Sequence, residues 1–425
     1  MSLGSRKRFI SKPIVRGRFS HSVKDDLLAL TFACFRTPNK NVLVQYEEIM
    51  ANYVRARHCA SFSLARTALW ALLVSLNYPK GTRILMPSIS IKAMVDVIEE
   101  LGLEPVFVDV DLKSGCVDLD SLRRSLALQP KIILLTYLFG VVPNMDELMQ
   151  ILRSASIFII EDFSQCLNGE FQGQKIGTFG DASILSTSSI KTLDTYGGGL
   201  LFTNNTQLFV QIESIRNSLP ETKRLRVVRK ILVSFIKNVL TSTFIFYAIF
   251  PLIWVSTIFG TEAFSRFVGK RSASRLEEFP LAWLEKLSPI QAHFGLSYVK
   301  RVRTLDVSRA GIVHQYSQKV EFVGSKSPSN AKSVFWQCVI IAKNPSTFRK
   351  SLVSQNIDSA RTSLTLLSVL PEYGWDYRIN TPNALKLYTQ GVYVPCYSSL
   401  DKRSIQRIAG VLEQLQQAGE IEQIF

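Results

Sequence analysis

Between residues 55 and 215 the chain alternates two periodicities. "ARTALWALLVSL" repeats its apolar positions at helical spacing, "TRILMPS" is a short apolar run, and "SIKAMVDVIEELG" is helical again up to Gly102. The alternation continues through "EPVFVDVD", the helical "DLDSLRRSLAL", "KIILLTYLFG", the helical "NMDELMQILRSA" and "SIFIIEDFSQ". Short β-branched runs separated by amphipathic helices predict an α/β fold whose mostly parallel sheet is covered on both faces. In such sheets the chemistry gathers beyond the carboxyl ends of the strands. That sets Pro87, Asp109, Tyr137, Asp162 and residues 186–199 along one rim. From residue 286 a smaller α+β pattern follows: helical spacing in "SPIQAHFGLSYVKRVRTLDVSRAGIVHQYSQKV", a strand-like "SVFWQCVIIAK" and a closing helix in "DKRSIQRIAGVLEQLQQ". The predicted organisation is an N-terminal arm (1–45), a large lobe (46–217), an insert (218–285) and a small C-terminal lobe (286–425).

The insert follows neither pattern. Residues 231–260 read "ILVSFIKNVLTSTFIFYAIFPLIWVSTIFG", with no charge from Asn238 to Gly260. "KRLRVVRK" precedes the run, and Arg266, Lys270, Arg271 and Arg275 follow it. About 20 helical residues suffice to cross a bilayer core of ~30 Å. A single crossing, however, would leave the two lobes on opposite sides of the membrane. Pro251 is expected to split the run into halves of about ten residues, each ~15 Å long as helix. The expected shape is a short hairpin or in-plane helix dipping into one leaflet. The basic flanks over 223–275 would meet anionic headgroups, with Tyr247 and Trp254 at the interface. The same segment also fits a helix pair buried at a dimer interface or against the core.

Composition narrows the remaining choices. A formal net charge of +16 over 425 residues fits an anionic partner (nucleic acid, an acidic membrane surface or a phosphorylated substrate) and equally a solvated basic surface; no nucleic-acid partner is expected here. Six scattered cysteines without a CxxC pair fit a reduced cytoplasmic compartment and argue against a disulfide frame or zinc knuckle. The basic N-terminus lacks the apolar core of a secretory signal. "DVDLKSGCVDLD" superficially resembles a calcium loop, but Lys113 stands where a ligand belongs. HExxH, GxGxxG and GxxxxGK[ST] are absent, and the four histidines lie far apart, so no metal site is expected.

One constellation remains, around "STSSIKTLDTYGGG" at 186–199. Asp162 follows the strand "SIFII", Gln165 lies three residues on, and Ser186 ends the strand "DASIL" five residues before Lys191. Pyridoxal phosphate needs a lysine for a Schiff base, a carboxylate at its ring nitrogen, hydroxyls and amides for its phosphate, and a group beside the ring. Each need has a candidate here.

The stretch "IEDFSQCLNGEFQGQKIGTFGDASILSTSSIKTLDTYGGGLLFTNN" resembles the active-site region of the DegT/DnrJ/EryC1/StrS aminotransferases. These are pyridoxal-phosphate-dependent transferases of fold type I, aspartate aminotransferase-like, acting on nucleotide-linked keto-sugars. "FSLARTALWALL", "PVFVDVD", "LFGVVPNMDEL", "IRNS", "LSPIQAHFGL" and "VPCYSSLDKRSIQRI" extend the resemblance outside the insert. It implies that Lys191 is the Schiff-base lysine and catalytic acid–base, and that Asp162 partners the ring nitrogen. Gln165 would neighbour the ring hydroxyl. Ser186, with the amides and hydroxyl around Ala65, Arg66 and Thr67, would bind the phosphate at a helix N-terminus. It also implies a homodimer, glutamate as usual amino donor and a sugar-type acceptor. Three positions depart from the family pattern: Ile91 replaces an aromatic over the ring, Leu284 an asparagine reaching a neighbouring subunit's phosphate, and Ala65 a glycine. The expectation is therefore an aminotransferase of polysaccharide or glycolipid synthesis, cytoplasmic and peripheral on the inner face of the membrane. The rivals are an enzyme of the same fold acting on a non-sugar or lipid-linked carbonyl, and a non-catalytic scaffold.

Overall fold

Seven strands form the central sheet in the computed structural model, which describes residues 11–39, 41–260, 278–370 and 380–424. They are β1 (His58–Phe62), β2 (Arg83–Pro87), β3 (Glu104–Val108), β4 (Ile132–Thr136), β5 (Phe158–Asp162), β6 (Ala182–Ser186) and β7 (Gly199–Thr203). Their order across the sheet is β1-β7-β6-β5-β4-β2-β3, with β7 antiparallel to both neighbours and the other pairs parallel. Successive residues feed opposite faces. Ile132 and Leu134 pack with Ile84 and Met86 on one side, Ile133 and Leu135 with Leu85 and Val106 on the other. A strand dry on both faces has to read as a continuous apolar run, which is why these segments do not alternate with polar residues.

The helices are α1 (Val23–Phe35), α2 (Asn41–Val54), α3 (Ala65–Leu76), α4 (Lys92–Glu100), α5 (Leu119–Leu126), α6 (Met145–Ser154), α7 (Thr206–Ser218), α8 (Arg224–Leu240), α9 (Thr243–Ile258), α10 (Pro289–Ser317), α11 (Pro345–Ser354), α12 (Pro382–Gln390) and α13 (Lys402–Gln417). Polar residues mark several starts. Ser22 and Asp25 form a capping box on α1, and Asp118, Asn205 and Asp401 each accept a first-turn amide. Such caps each stabilise a helix by about 1 kcal/mol. The C-terminal lobe carries β8 (Cys338–Ile341), β9 (Ala360–Arg361) and β10 (Gly391–Val394), with β10 central and antiparallel to both. The long helix α10 serves both lobes: Ala292, Val299 and Val302 join the large core, and Ile312, Val313 and Tyr316 the small one.

Two local expectations are corrected. The break in the insert falls at Thr241–Ser242, where α8 and α9 meet at 77°, and not at Pro251, which sits inside a continuous α9. Pro251 lies on the exposed side, where solvent can satisfy the Tyr247 carbonyl that its ring leaves without an amide donor. The strand foreseen over "SVFWQCVIIAK" covers only residues 338–341. Phe335 adopts a left-handed φ of 47°, which turns the chain just before the strand and redirects Trp336.

Candidate active site

Asp162 ends β5, flanked in register by Thr136 of β4 and Ile184 of β6. Strand alternation sends its neighbour Glu161 to the opposite face. There the Glu161 carboxylate accepts from the Tyr137 hydroxyl and the amides of Gly177, Phe179 and Gly180, a purely structural role. Asp162 itself is buried at the rim and accepts the Ser164 amide at 3.0 Å. Burial raises its pKa, while hydrogen bonds from Ser164 and the nearby charge of Lys191 oppose that rise. Asp162 and Lys191 therefore share one buried environment, as a carboxylate and an amine that sense each other.

Lys191 is itself buried, in a loop held from several directions. Its two neighbours in the left-handed region, Ile190 (φ 72°) and Tyr196 (φ 61°), are not glycines. Such backbone persists only where surrounding contacts over-determine it. Here they do. Thr192 Oγ1 donates to Asp306 at 3.1 Å and accepts from Arg309, both on α10. Asp194 accepts the amides of Ile190 and Tyr196 and faces His21 Nε2 at 3.0 Å. His21 also meets Asp26 of α1 at 2.8 Å. Burial works to lower the His21 pKa, but hydrogen bonds and charge from Asp194 and Asp26 outweigh it and push the ring up to about 9. Asn238 of α8 closes this cluster, donating to the Asp26 carboxylate and to the His21 carbonyl.

Trp336, from the other lobe, completes the pocket. Its ring centroid lies 4.0 Å from Lys191 Nζ, and its Nε1 donates to the Ile190 carbonyl at 2.9 Å. Gly140 makes this approach possible. A Cβ there would fall 2.7 Å from the Trp336 nitrogen and 2.6 Å from the Gln165 carbonyl, at a φ of 78° that already favours glycine.

The expected phosphate cradle comes together only partly as foreseen. Ser186 ends β6 opposite Gly199, with its hydroxyl 2.9 Å from that of Ser188. A Cβ on Gly199 would collide with the Ala65 nitrogen, and one on Gly198 with the Thr187 hydroxyl. Bare backbone is thus required where Ser186 meets the start of α3, and the helix uses its own amides only from Thr67 onward. The Thr67 hydroxyl donates to the Trp283 carbonyl at 2.6 Å, which ties the start of α3 to the 283–285 segment. The Arg66 guanidinium stacks on the Trp283 ring at 4.3 Å, turning its charge toward that same segment. Gln165 is also committed: its side-chain carbonyl accepts the Phe139 amide at 2.7 Å. Ile91 is the half-buried N-cap position of α4, beyond the end of β2.

Several rim residues do other work. Asp109 accepts the first-turn amides of α12, joining the lobes, and Tyr137 serves Glu161. Sequence reasoning missed Trp336, Asp194, Asp306 and Lys230. Lys230 of α8 reaches the Gly197 backbone, and burial, together with the charge of Arg226, lowers its pKa. Of these only Asp194 left a signal, as a carboxylate three residues from Lys191.

Comparison with known proteins places this geometry. GDP-perosamine synthase of Caulobacter vibrioides is 22% identical over 384 residues, spanning 88% of this chain and 90% of that protein. The aminotransferase from Psychrobacter cryohalolentis superposes with a TM-score of 0.71 at 16% identity, covering 93% of this chain and 97% of its own. The putative sugar aminotransferase Spr1654 from Streptococcus pneumoniae, in its PLP form, does so with a TM-score of 0.68 at 16% identity, covering 96% and 98%. The family model matches residues 36–232 and 258–413, leaving 233–257 unmatched. The chain belongs to the DegT/DnrJ/EryC1/StrS aminotransferase family, whose members depend on pyridoxal phosphate.

Proposed function

We propose that the protein moves an amino group from glutamate to a keto-sugar, carried on a nucleotide, in the synthesis of a polysaccharide or glycolipid. It acts as a homodimer at the cytoplasmic face of the membrane. The observation that carries this reading is the buried Lys191–Asp162 pair at the carboxyl edge of the sheet. The GDP-linked sugar named in a relative spanning most of the chain supports the acceptor class.

The residues present fit the cofactor. Lys191 Nζ would hold it covalently, Asp162 would face its ring nitrogen, and Ser186 with the glycine-backed start of α3 would hold its phosphate. Bound there, pyridoxal phosphate supplies an electron sink for the bond broken at the amino donor. The chain's own groups do the rest. Lys191 Nζ takes the proton from the donor's carbon and returns one to the acceptor's, as general base and then general acid. Asp162, kept in place by Ser164, supplies the negative charge that keeps a proton on a nitrogen opposite it. The Trp336 ring covers Nζ and limits water around it.

The test is direct. Purified protein is mixed with glutamate and a panel of nucleotide-linked 3-keto- and 4-keto-sugars, with 2-oxoglutarate and amino-sugar followed separately. Turnover of both supports the proposal. 2-Oxoglutarate formed without amination of any nucleotide sugar would reject the acceptor class, and none formed would reject the donor.

A further inference from the structure

The insert presents a surface that the catalytic fold does not use. Half of the exposed large hydrophobic side chains among the described residues lie between 225 and 259. Scattered apolar side chains are ordinary on a protein surface, but a contiguous concentration marks an interaction site. On α9, Phe246, Phe250 and Ile253 pack inward, while Phe244, Leu252 and Phe259 stand out at 89%, 65% and 71% exposure. Tyr247 and Trp254 are exposed on the same helix. The family model skips residues 233–257, so most of α9 is an addition to the fold rather than a part of it.

Helix α8 says what covers this face. Val227, Ile231, Ser234 and Asn238 face inward; Leu225, Arg229, Val233, Ile236 and Lys237 form the outward stripe. Cations and aliphatic side chains alternate there on one face. Between residues 222 and 260 there are six lysines and arginines and no aspartate or glutamate. Arg229 and Lys237 have no ion-pair partner among the described residues. A two-fold contact between copies centred on this patch would set cation against cation, because such an interface opposes a surface to itself. An anionic lipid surface has the complementary chemistry: headgroups for the cations, and acyl chains for the apolar tips. No helix among the described residues is by itself long and apolar enough to span, and the 77° bend lays the pair out as two short arms.

From this surface we infer that the outward faces of α8 and α9 form a docking site for an anionic bilayer, entering one leaflet without crossing it. The inference rests on the membrane contact proposed above and names the surface that makes it. The cofactor-loaded dimer is floated with vesicles of phosphatidylcholine alone or mixed with phosphatidylglycerol. The wild type is expected to float with the anionic vesicles. The variant Phe244→Asp/Leu252→Asp/Phe259→Asp is expected to bind at least about a hundredfold more weakly. Arg229→Glu/Lys237→Glu is expected to weaken binding by about tenfold or more. The visible cofactor spectrum confirms that each variant is folded. Wild type and triple variant floating equally well would overturn this surface while leaving membrane contact standing. A wild type that stays down with both vesicles would overturn both. A triple variant that then turns from dimer to monomer would identify a second copy as the occupant.

Discussion

The loop around Lys191 and the α8–α9 insert are the two least ordinary stretches of this chain, and they solve opposite problems. The loop is polar and buried, and its strained backbone stands because Asp306, Arg309, His21 and Trp336 each hold a specific atom of it. The insert is apolar and exposed, with Phe244, Leu252 and Phe259 standing out from its surface. Burial without satisfaction would be costly for the first, and exposure without a partner would be costly for the second. Hydrogen bonding thus separates the two: the loop's polar groups are met inside the fold, and the insert leaves apolar side chains at its outer face. The two regions meet where Asn238 of α8 bonds the Asp26–His21 cluster that braces the lysine loop, where Lys230 reaches the Gly197 backbone, and where Val227 and Ile231 pack with Tyr196.

The sharpest break of the comparison is Lys191→Ala, which removes the amine proposed to carry the chemistry. Turnover should fall at least about a thousandfold while the fold persists. Borohydride should fix cofactor to the wild type and not to the variant, and substantial turnover by the variant would shift the chemistry elsewhere.

His21 tests whether the loop is held electrostatically. Its pKa rises from 6.5 to about 9 in the folded chain, so its contribution is fully present below pH 6.5 and is lost as pH rises through 9. The size is on the order of 3 kcal/mol. Thermal unfolding from pH 6 to pH 9.5 should show the wild type losing that increment, and His21→Gln a flatter profile. Parallel profiles would mean the ring is not charged in the fold.

Gly140→Ala probes the contact between the lobes. The new Cβ would press on the Trp336 and Gln165 backbones. Stability should drop by about 1–3 kcal/mol, with the 4.0 Å contact to Lys191 disturbed, which tryptophan fluorescence on cofactor binding would report. The smallest effect belongs to the insert. Phe244→Ser should change unfolding stability by no more than about 0.5 kcal/mol, because this side chain is exposed. A large loss in denaturant titration would mean that the residue is packed.

Much of the large lobe was legible because its strands are dry on both faces and its helices on one, and both conditions leave a periodic trace. Lys191, Asp162 and Ser186 were legible because strand ends and a hydroxyl-rich loop lie next to them in sequence. Asp109 and Tyr137 looked alike from the same position, yet they cap α12 and bond Glu161, since adjacent strand residues face opposite ways. Thr67 was assigned to phosphate, but its hydroxyl went to Trp283, a residue 216 positions away. Pro251 read as a break and is not one, because an exposed helix side tolerates a missing amide.

By itself, the sequence determined the α/β architecture, the cofactor chemistry and the existence of an apolar insert, all properties of local pattern and residue type. Only the tertiary structure decided what closes over Lys191, what holds its loop, and which side of α8 and α9 faces outward. Those depend on contacts between segments more than a hundred residues apart, such as Trp336 with Ile190 and His21 with Asp194. A pattern along the chain records which residues must be buried, and it carries no record of which distant residue buries them.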